Sequence, residues 1–139
     1  MRDITNGLHL KPAFAPKAAV GDGTAQVSTV ADLKGYDGCM LALALGINTD
    51  TDAVWSVLIE DSDNDSDYVA VDDVYLNGTE LLAGFAFGDD GECRKIGYTG
   101  PKRYVRATID DTTANTGDLF VAGMWVLRPL RTPAANPPA

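Results

Sequence analysis

The chain has 139 residues, the usual size of one domain, and its apolar fraction of 45% is enough to build a buried core. Twenty acidic residues against eleven basic ones give a formal net charge of −9, which argues against a nucleic-acid-binding surface. No apolar run reaches the roughly 18 residues that a membrane span needs, and none follows Arg2, so we predict neither a membrane segment nor a signal peptide.

The two ends of the chain differ in composition from the middle. Residues 1–26 hold two prolines and a Gly-Asp-Gly turn, and residues 129–139 hold four prolines, so neither segment favours a helix or a central strand. We predict an extended N-terminal arm over 1–26 and a proline-rich C-terminal arm over 129–139, around a β-sandwich domain at 27–128. Because such segments do not pack alone, we expect the arms to contact neighbouring subunits; arms folded back on their own domain are the alternative.

Between the arms, short runs of alternating polarity are separated by turn residues, which is typical of an all-β sandwich or barrel. The pattern predicts about eight antiparallel strands, and a jelly-roll-like sandwich is the architecture we expect from that number. These strands lie at 27–31, 39–45, 53–60, 74–76, 80–87, 94–98, 102–109 and 119–127. No window shows a convincing helical period, so helix is limited to a turn near 68–71.

Two of these predictions depend on particular residues. Asn77-Gly78 readily takes the positive φ angles of a tight turn, so 74–76 and 80–87 are predicted to form a hairpin. The last strand, 119–127, is apolar on both faces, which indicates burial on two sides, either in the middle of the sandwich or in a subunit interface.

The charges are distributed unevenly along the chain. Residues 22–92 hold sixteen acids and one base, Lys34, for a net charge of −15, whereas residues 94–106 hold five bases and no acid. This polarity suits head-to-side contact between identical subunits, or contact with an oppositely charged partner. The candidate contacts with another subunit or with such a partner are therefore the five bases Arg94, Lys95, Lys102, Arg103 and Arg106. A solvated face of a strand pair is the alternative.

The densest polar segment, residues 61–73, resembles the start of a calcium loop because carboxylates stand at alternate positions. The match fails where Ser66 replaces the usual glycine, where Asp72 replaces the usual glutamate, and where strands replace the flanking helices. We therefore predict a solvated loop whose Asx side chains bind their own backbone, and no metal site.

Catalytic residues are not predicted. The single histidine, His9, lies in a polar stretch without a Cys or His at ligand spacing, and no phosphate-binding glycine loop is present. We expect no enzyme activity and no cofactor. The two cysteines, Cys39 in an apolar run and Cys93 in a turn, are interpreted as a buried residue and a loop thiol, not a disulfide.

The segment Arg94–Ile109 contains the pattern Gly-Tyr-x-Gly-x-Lys-Arg-Tyr-Val-Arg. It resembles small structural proteins of tailed bacteriophages, in which this pattern follows an acidic segment like Leu58–Val71. The matching positions in that acidic segment are Ser62, Asp63 and Tyr68. The end of the last strand, 127–129, is also similar, and the resemblance covers about residues 20–130.

This resemblance implies a capsid decoration, or cement, protein. Members of that family typically form homotrimers with a β-sandwich or jelly-roll core, bind the major capsid protein and strengthen the head lattice against internal DNA pressure. It therefore implies a location on the capsid exterior of the virion, after assembly in the host cytoplasm, and no active site to carry over. The acidic loop at 61–73 departs from the family pattern.

Two other functions stay open. A head–tail connector or tail-tube protein is also all-β, but a tube subunit should form open-ended rings where cement forms trimers. A cation- or carbohydrate-binding β-sandwich module would use the 61–73 loop, or exposed aromatic side chains in a groove. Both tryptophans, Trp55 and Trp125, instead lie in alternating core strands.

Overall fold

The computed structural model describes residues 3–16, 20–21, 24–111 and 117–131, with the backbone alone at 20–21. Twelve strands are found in these residues: β1 His9–Phe14, β2 Val20–Gly21, β3 Gln26–Val27, β4 Ala31–Asp32, β5 Tyr36–Asn48, β6 Val54–Ser62, β7 Val69–Ala70, β8 Leu76–Asn77, β9 Phe85–Ala86, β10 Cys93–Tyr98, β11 Tyr104–Asp111 and β12 Asp118–Pro129. One turn of α-helix, α1 Glu80–Ala83, and two 3₁₀ turns, Asp73–Tyr75 and Phe87–Asp89, complete the described structure. None of the described helices is long and apolar enough to cross a membrane.

The strands form two antiparallel sheets, which confirms the predicted all-β sandwich. Sheet 1 has the order β1-β12-β5-β10-β8, with β2 also paired to β12. Sheet 2 has the order β3-β11-β6-β7, with β4 paired to β11 and β9 paired to β6. Alternate residues of the long strands point inwards, because successive side chains of a strand lie on opposite faces of the sheet.

A single hydrophobic core lies between the two sheets. Sheet 1 contributes buried side chains such as Leu41 and Trp125, and sheet 2 contributes Trp55 and Ile59. The indole Nε1 of Trp125 donates a hydrogen bond across the core to the carbonyl oxygen of Thr29, at 2.9 Å. The inward positions predicted for both tryptophans are therefore confirmed.

The N-terminal segment is not an arm throughout its length, which corrects the prediction for residues 1–26. His9–Phe14 pairs with β12 as a strand of sheet 1, and Ala13 and Phe14 are buried in the core. Gly123 makes room for this packing, since a Cβ there would lie 2.8 Å from carbon atoms of both Phe14 and Leu43. A proline in this strand is tolerated because β1 is at the edge of the sheet. The alternative, a segment folded back on its own domain, holds here; most of the predicted C-terminal arm, from 132 onward, lies outside the described residues.

The predicted hairpin at 74–87 is wrong. Strand β8, Leu76–Asn77, pairs with β10, and the chain after Gly78 enters helix α1. The hydroxyl of Thr79 caps this helix by accepting a hydrogen bond from the backbone nitrogen of Leu82, at 3.1 Å. Leu81 is consequently exposed, whereas the predicted strand over 80–87 would place it on the same face as the buried Ala83. The helical turn expected near 68–71 is also wrong, because Val69–Ala70 is a strand.

Strands β10 and β11 do not pair with each other, although the sequence suggested a strand pair. β10 lies in sheet 1 between β5 and β8, and β11 lies in sheet 2 between β3 and β6. The segment 99–103 therefore crosses from one sheet to the other. The five bases at 94–106 are divided between the two sheets and this crossing.

Candidate docking surface

The crossing between the sheets contains a buried polar cluster centred on Asp61. The hydroxyl of Tyr98 donates to one carboxylate oxygen of Asp61 at 2.9 Å, and Nζ of Lys102 donates to the other at 2.7 Å. The backbone nitrogen of Lys102 donates in turn to the Tyr98 hydroxyl at 3.1 Å. Burial and the hydrogen bond to Asp61 raise the pKa of Tyr98. This cluster joins β6 of sheet 2 to β10 of sheet 1, so the first role of Lys102 is structural.

Arg103 and Arg106 also bind acids of their own chain. The guanidinium of Arg103 makes a bidentate ion pair with Asp32, at 2.7 and 2.8 Å, and holds the pKa of that carboxyl at about 2. The guanidinium of Arg106 pairs with Glu60 at 2.8 Å and stacks over the ring of Tyr68 at 4.1 Å from its centroid. The charges of both arginines are therefore paired with acids of the same subunit.

The remaining two bases lie on β10 and differ in their environment. Arg94 forms ion pairs with Asp89 and Glu92 at the edge of sheet 1. Lys95 is exposed and makes no salt bridge to any residue that the structure describes. The structure does not bring the five bases together as one strip. Of the five, Lys95 alone offers an unpaired charge within the described residues.

The outer faces of the two sheets have opposite character. On sheet 2, the outward residues of β11 are polar or charged: Tyr104, Arg106, Thr108 and Asp110. Those of β6 mix polar and apolar side chains: Val54, Ser56, Leu58 and Glu60. On sheet 1, Asp118, Phe120 and Arg128 point outward near the ends of β12. Between them, the outward residues in the middle of β1, β5 and β12 are aliphatic: Leu10, Pro12, Met40, Ala42, Ala44, Ala122, Met124 and Val126. We call this set the apolar face.

A groove of about 690 Å³ runs over the apolar face. Its lining includes small side chains such as Ala42 and Ala122 and longer ones such as Leu10, Met40 and Met124. The described lining residues include no carboxylate, whereas Lys95, opposite the outward Ala42, lies in the lining. In a chain of net charge −9, this is an apolar surface with a local excess of positive charge.

The sequence contains a signal for this surface. The pattern of β12 predicted burial on both faces, but Met124 is 43% exposed, so the explanation that both faces lie inside one sandwich is wrong. The other explanation, a subunit interface, stays a prediction. The same two-sided apolar pattern in β5, with Met40, Ala42 and Ala44 outward, was the further signal that could have located the face.

The acidic loop satisfies its own polar groups, as the Asx interpretation predicted. The side-chain oxygen of Asn64 accepts hydrogen bonds from the backbone nitrogens of Ser66 at 3.0 Å and Asp67 at 2.9 Å. Its amide nitrogen donates to Asp67, at 2.7 Å. In the described parts of the chain, no three His, Cys, Asp or Glu side chains gather in a geometry that could hold a metal ion.

A buried acid lies at the far end of β5. The backbone nitrogen of Asp50 donates to the side chain of Asn48 at 3.1 Å, and its carboxylate accepts from the backbone nitrogen of Asp52 at 3.4 Å. Burial raises the pKa of Asp50. The neighbouring carboxylates of Asp52 and Asp111 raise it further, because like charges disfavour ionisation.

The two thiols are free and differ in exposure, as predicted. Cys39 is buried on the inward face of β5, and Cys93 is exposed at the start of β10. Burial raises the pKa of Cys39 to about 12. Cys93 lies in the lining of the groove, so it is a natural position for a probe of that surface.

No protein-family model and no curated protein sequence matches the chain. Among solved structures, it is similar to Xylanase10C of Cellvibrio japonicus in complex with xylopentaose, with 11% identity over 96% of this chain and 28% of that one and a TM-score of 0.46. The xylan-binding module CBM15 gives 13% identity over 91% of this chain and 93% of the module, with a TM-score of 0.42. The chain thus spans about 28% of the xylanase. Likenesses at this level carry no conclusion about what the chain binds.

Proposed function

We propose that this protein is a structural binding protein that decorates the heads of tailed bacteriophages. The proposal combines the sequence resemblance to capsid decoration proteins with one structural observation, the apolar face of sheet 1. A contiguous apolar surface on a soluble domain marks a site of contact with another macromolecule. On this proposal the target is the major capsid protein and the binding form is a homotrimer, and the apolar face is a surface through which the subunit contacts another protein.

The chemistry of the face favours a protein partner over a sugar. Its outward side chains are aliphatic, and Phe120, on the outer side of β12, lies outside the groove lining. The aromatic residue in the lining, Phe14, is only 8% exposed and belongs to the core. Sugars are held by stacking on aromatic rings together with fixed hydrogen-bonding groups, and neither is arranged here. An aliphatic sheet face instead gains free energy by excluding water against a complementary surface, at roughly 25 cal/mol per Å² of apolar area buried.

The test is co-sedimentation of the purified chain with undecorated phage heads. Met124→Glu places a charge on the apolar face, and Thr108→Glu places the same charge on the outer face of sheet 2, also on a central strand. We expect the wild type and Thr108→Glu to sediment with the heads and Met124→Glu to remain in the supernatant. Absence of wild-type binding, or equal binding by the two variants, would contradict the proposal. Open tubes formed by the chain alone would favour the tail-tube alternative.

A further inference from the structure

The most exposed apolar side chains of the described residues lie close together in the chain. Leu81 is 88% exposed, Leu82 is 73% exposed and Val74 is 72% exposed. The stretch that contains them, residues 72–82, has no basic residue and carries exposed carboxylates at Asp72 and Asp73. We call it the 72–82 segment. It combines exposed apolar side chains with negative charge.

The 72–82 segment is held in place and is not a loose loop. The carboxylate of Asp72 accepts from the backbone nitrogen of Val74 at 3.1 Å and caps the first 3₁₀ turn. The carboxylate of Glu80 accepts from the backbone nitrogen of Ile59 at 2.6 Å, which fixes helix α1 to β6. Ala83, at the end of the helix, is fully buried. Because these contacts preorganise the segment, binding through its leucines loses little conformational entropy.

The apolar face has the complementary properties. It offers a mainly apolar groove, and Lys95 in its lining, paired with the outward Ala42, forms no salt bridge to other described residues. Two copies of a chain of net charge −9 repel each other over most of their surfaces. An approach that brings the acidic 72–82 segment to this face replaces that repulsion with attraction.

We propose that the apolar face of one copy binds the 72–82 segment of a second copy. This inference rests on the proposed role of the face as a docking surface, and it names the partner. The two surfaces lie at different places on one chain: the face covers β1, β12 and β5, while the segment lies at the β8 end of the sheet beyond β10. The contact is therefore heterologous, so repetition closes a ring or extends a chain of subunits.

The first test uses one variant for each surface. Ala122→Arg fills the groove of one copy, and a chain carrying Leu81→Asp and Leu82→Asp loses the exposed leucines of the 72–82 segment. The oligomeric state is measured by sedimentation equilibrium without phage heads. We expect the wild type to self-associate and each variant alone to be monomeric. The expected weakening is about 30-fold or more, as for a central interface residue.

Mixing the two variants gives the sharper result. The groove variant keeps an intact 72–82 segment and the segment variant keeps an intact groove, so one contact forms between them and no further contact follows. We expect an equimolar mixture to give a dimer with one copy of each. A monomeric mixture would overturn the proposal, as would a monomeric wild type or self-association by both variants.

Controls separate misfolding and the failure of the proposed function from the failure of this inference. Far-UV circular dichroism and thermal melting establish that each variant is folded. If Ala122→Arg unfolds, Lys95→Glu replaces it, because this exposed side chain can be reversed in charge without entering the core. A monomeric wild type that binds heads would overturn the self-contact alone. A wild type that assembles as described but does not bind heads would overturn the decoration function alone.

Discussion

Asp61 is the residue whose removal most directly tests how the two sheets are joined. It is only 5% exposed, and its carboxylate accepts one hydrogen bond from sheet 1, through Tyr98, and one from the crossing segment, through Lys102. Asp61→Ala removes both acceptors and leaves the Tyr98 hydroxyl proton without its partner inside the protein. A hydrogen bond to a charged group contributes roughly 1.5–3 kcal/mol, and a buried donor left unsatisfied costs roughly 1–3 kcal/mol.

Lys102 is partly exposed, so its ammonium group can be hydrated by water when Asp61 is removed. The total destabilisation is therefore smaller than the sum of these contributions. The expected loss is about 3 kcal/mol of the free energy of unfolding, out of roughly 5–15 kcal/mol for a domain of this size. This corresponds to a fall in the melting temperature of about 10 °C.

The measurement is urea unfolding followed by tryptophan fluorescence, since Trp55 and Trp125 are both buried. Asp63→Ala is the matched control: it removes an exposed carboxylate from the same loop and should change stability by less than about 0.5 kcal/mol. If Asp61→Ala is as stable as Asp63→Ala, the cluster does not hold the sheets together and the reasoning fails.

Further predictions address the core, the buried acid, the thiols and the N-terminal strand. Trp125→Ala should cost about 3–5 kcal/mol because it empties a 1%-exposed site; an unchanged melting temperature would contradict its burial. Because the pKa of Asp50 is raised in the folded state, the folded protein loses stability as pH rises past the ordinary carboxyl pKa. Asp50→Asn should therefore raise the melting temperature at pH 7 but not at pH 3. Equal gains at both pH values would refute this. At pH 8 a thiol reagent should modify Cys93 and spare Cys39 until the chain unfolds, as mass spectrometry can show. Removal of residues 1–16 should lower the melting temperature, because β1 and its buried side chains are lost; an unaltered melt would show that β1 is dispensable.

Several features could be predicted from the sequence because they depend on neighbouring residues. The inward faces of β5 and β12 follow from the two-residue period of a strand, which needs no knowledge of the partner strand. The Asx turns at Asn64 are likewise local, since the side chain binds backbone groups two and three residues on. Residues 80–87 were predicted to be a strand because apolar residues are spaced two apart there. The capping residue Thr79 instead begins a helix at Glu80.

The pairing of the charged residues could not be predicted from the sequence. A run of five bases after a long acidic stretch suggested a single basic surface, but ion pairing is decided by which strands become neighbours. Arg103 pairs with Asp32, 71 residues away, and Lys102 pairs with Asp61, 41 residues away. Those distances along the chain are closed because β11 pairs with β4 and β6 in sheet 2, and the local sequence does not specify these partners.

The sequence by itself determined the all-β class, the inward-facing core residues and the exposure of the two thiols, because each depends on local alternation and composition. Only the tertiary structure decided that His9–Phe14 completes sheet 1, and that the second apolar face of β5 and β12 faces outward. The physical reason is that a strand's pattern records which residues avoid water, but not which surface covers them. A sheet packed on one side only leaves its other apolar face exposed, and the order of the strands decides where that face lies.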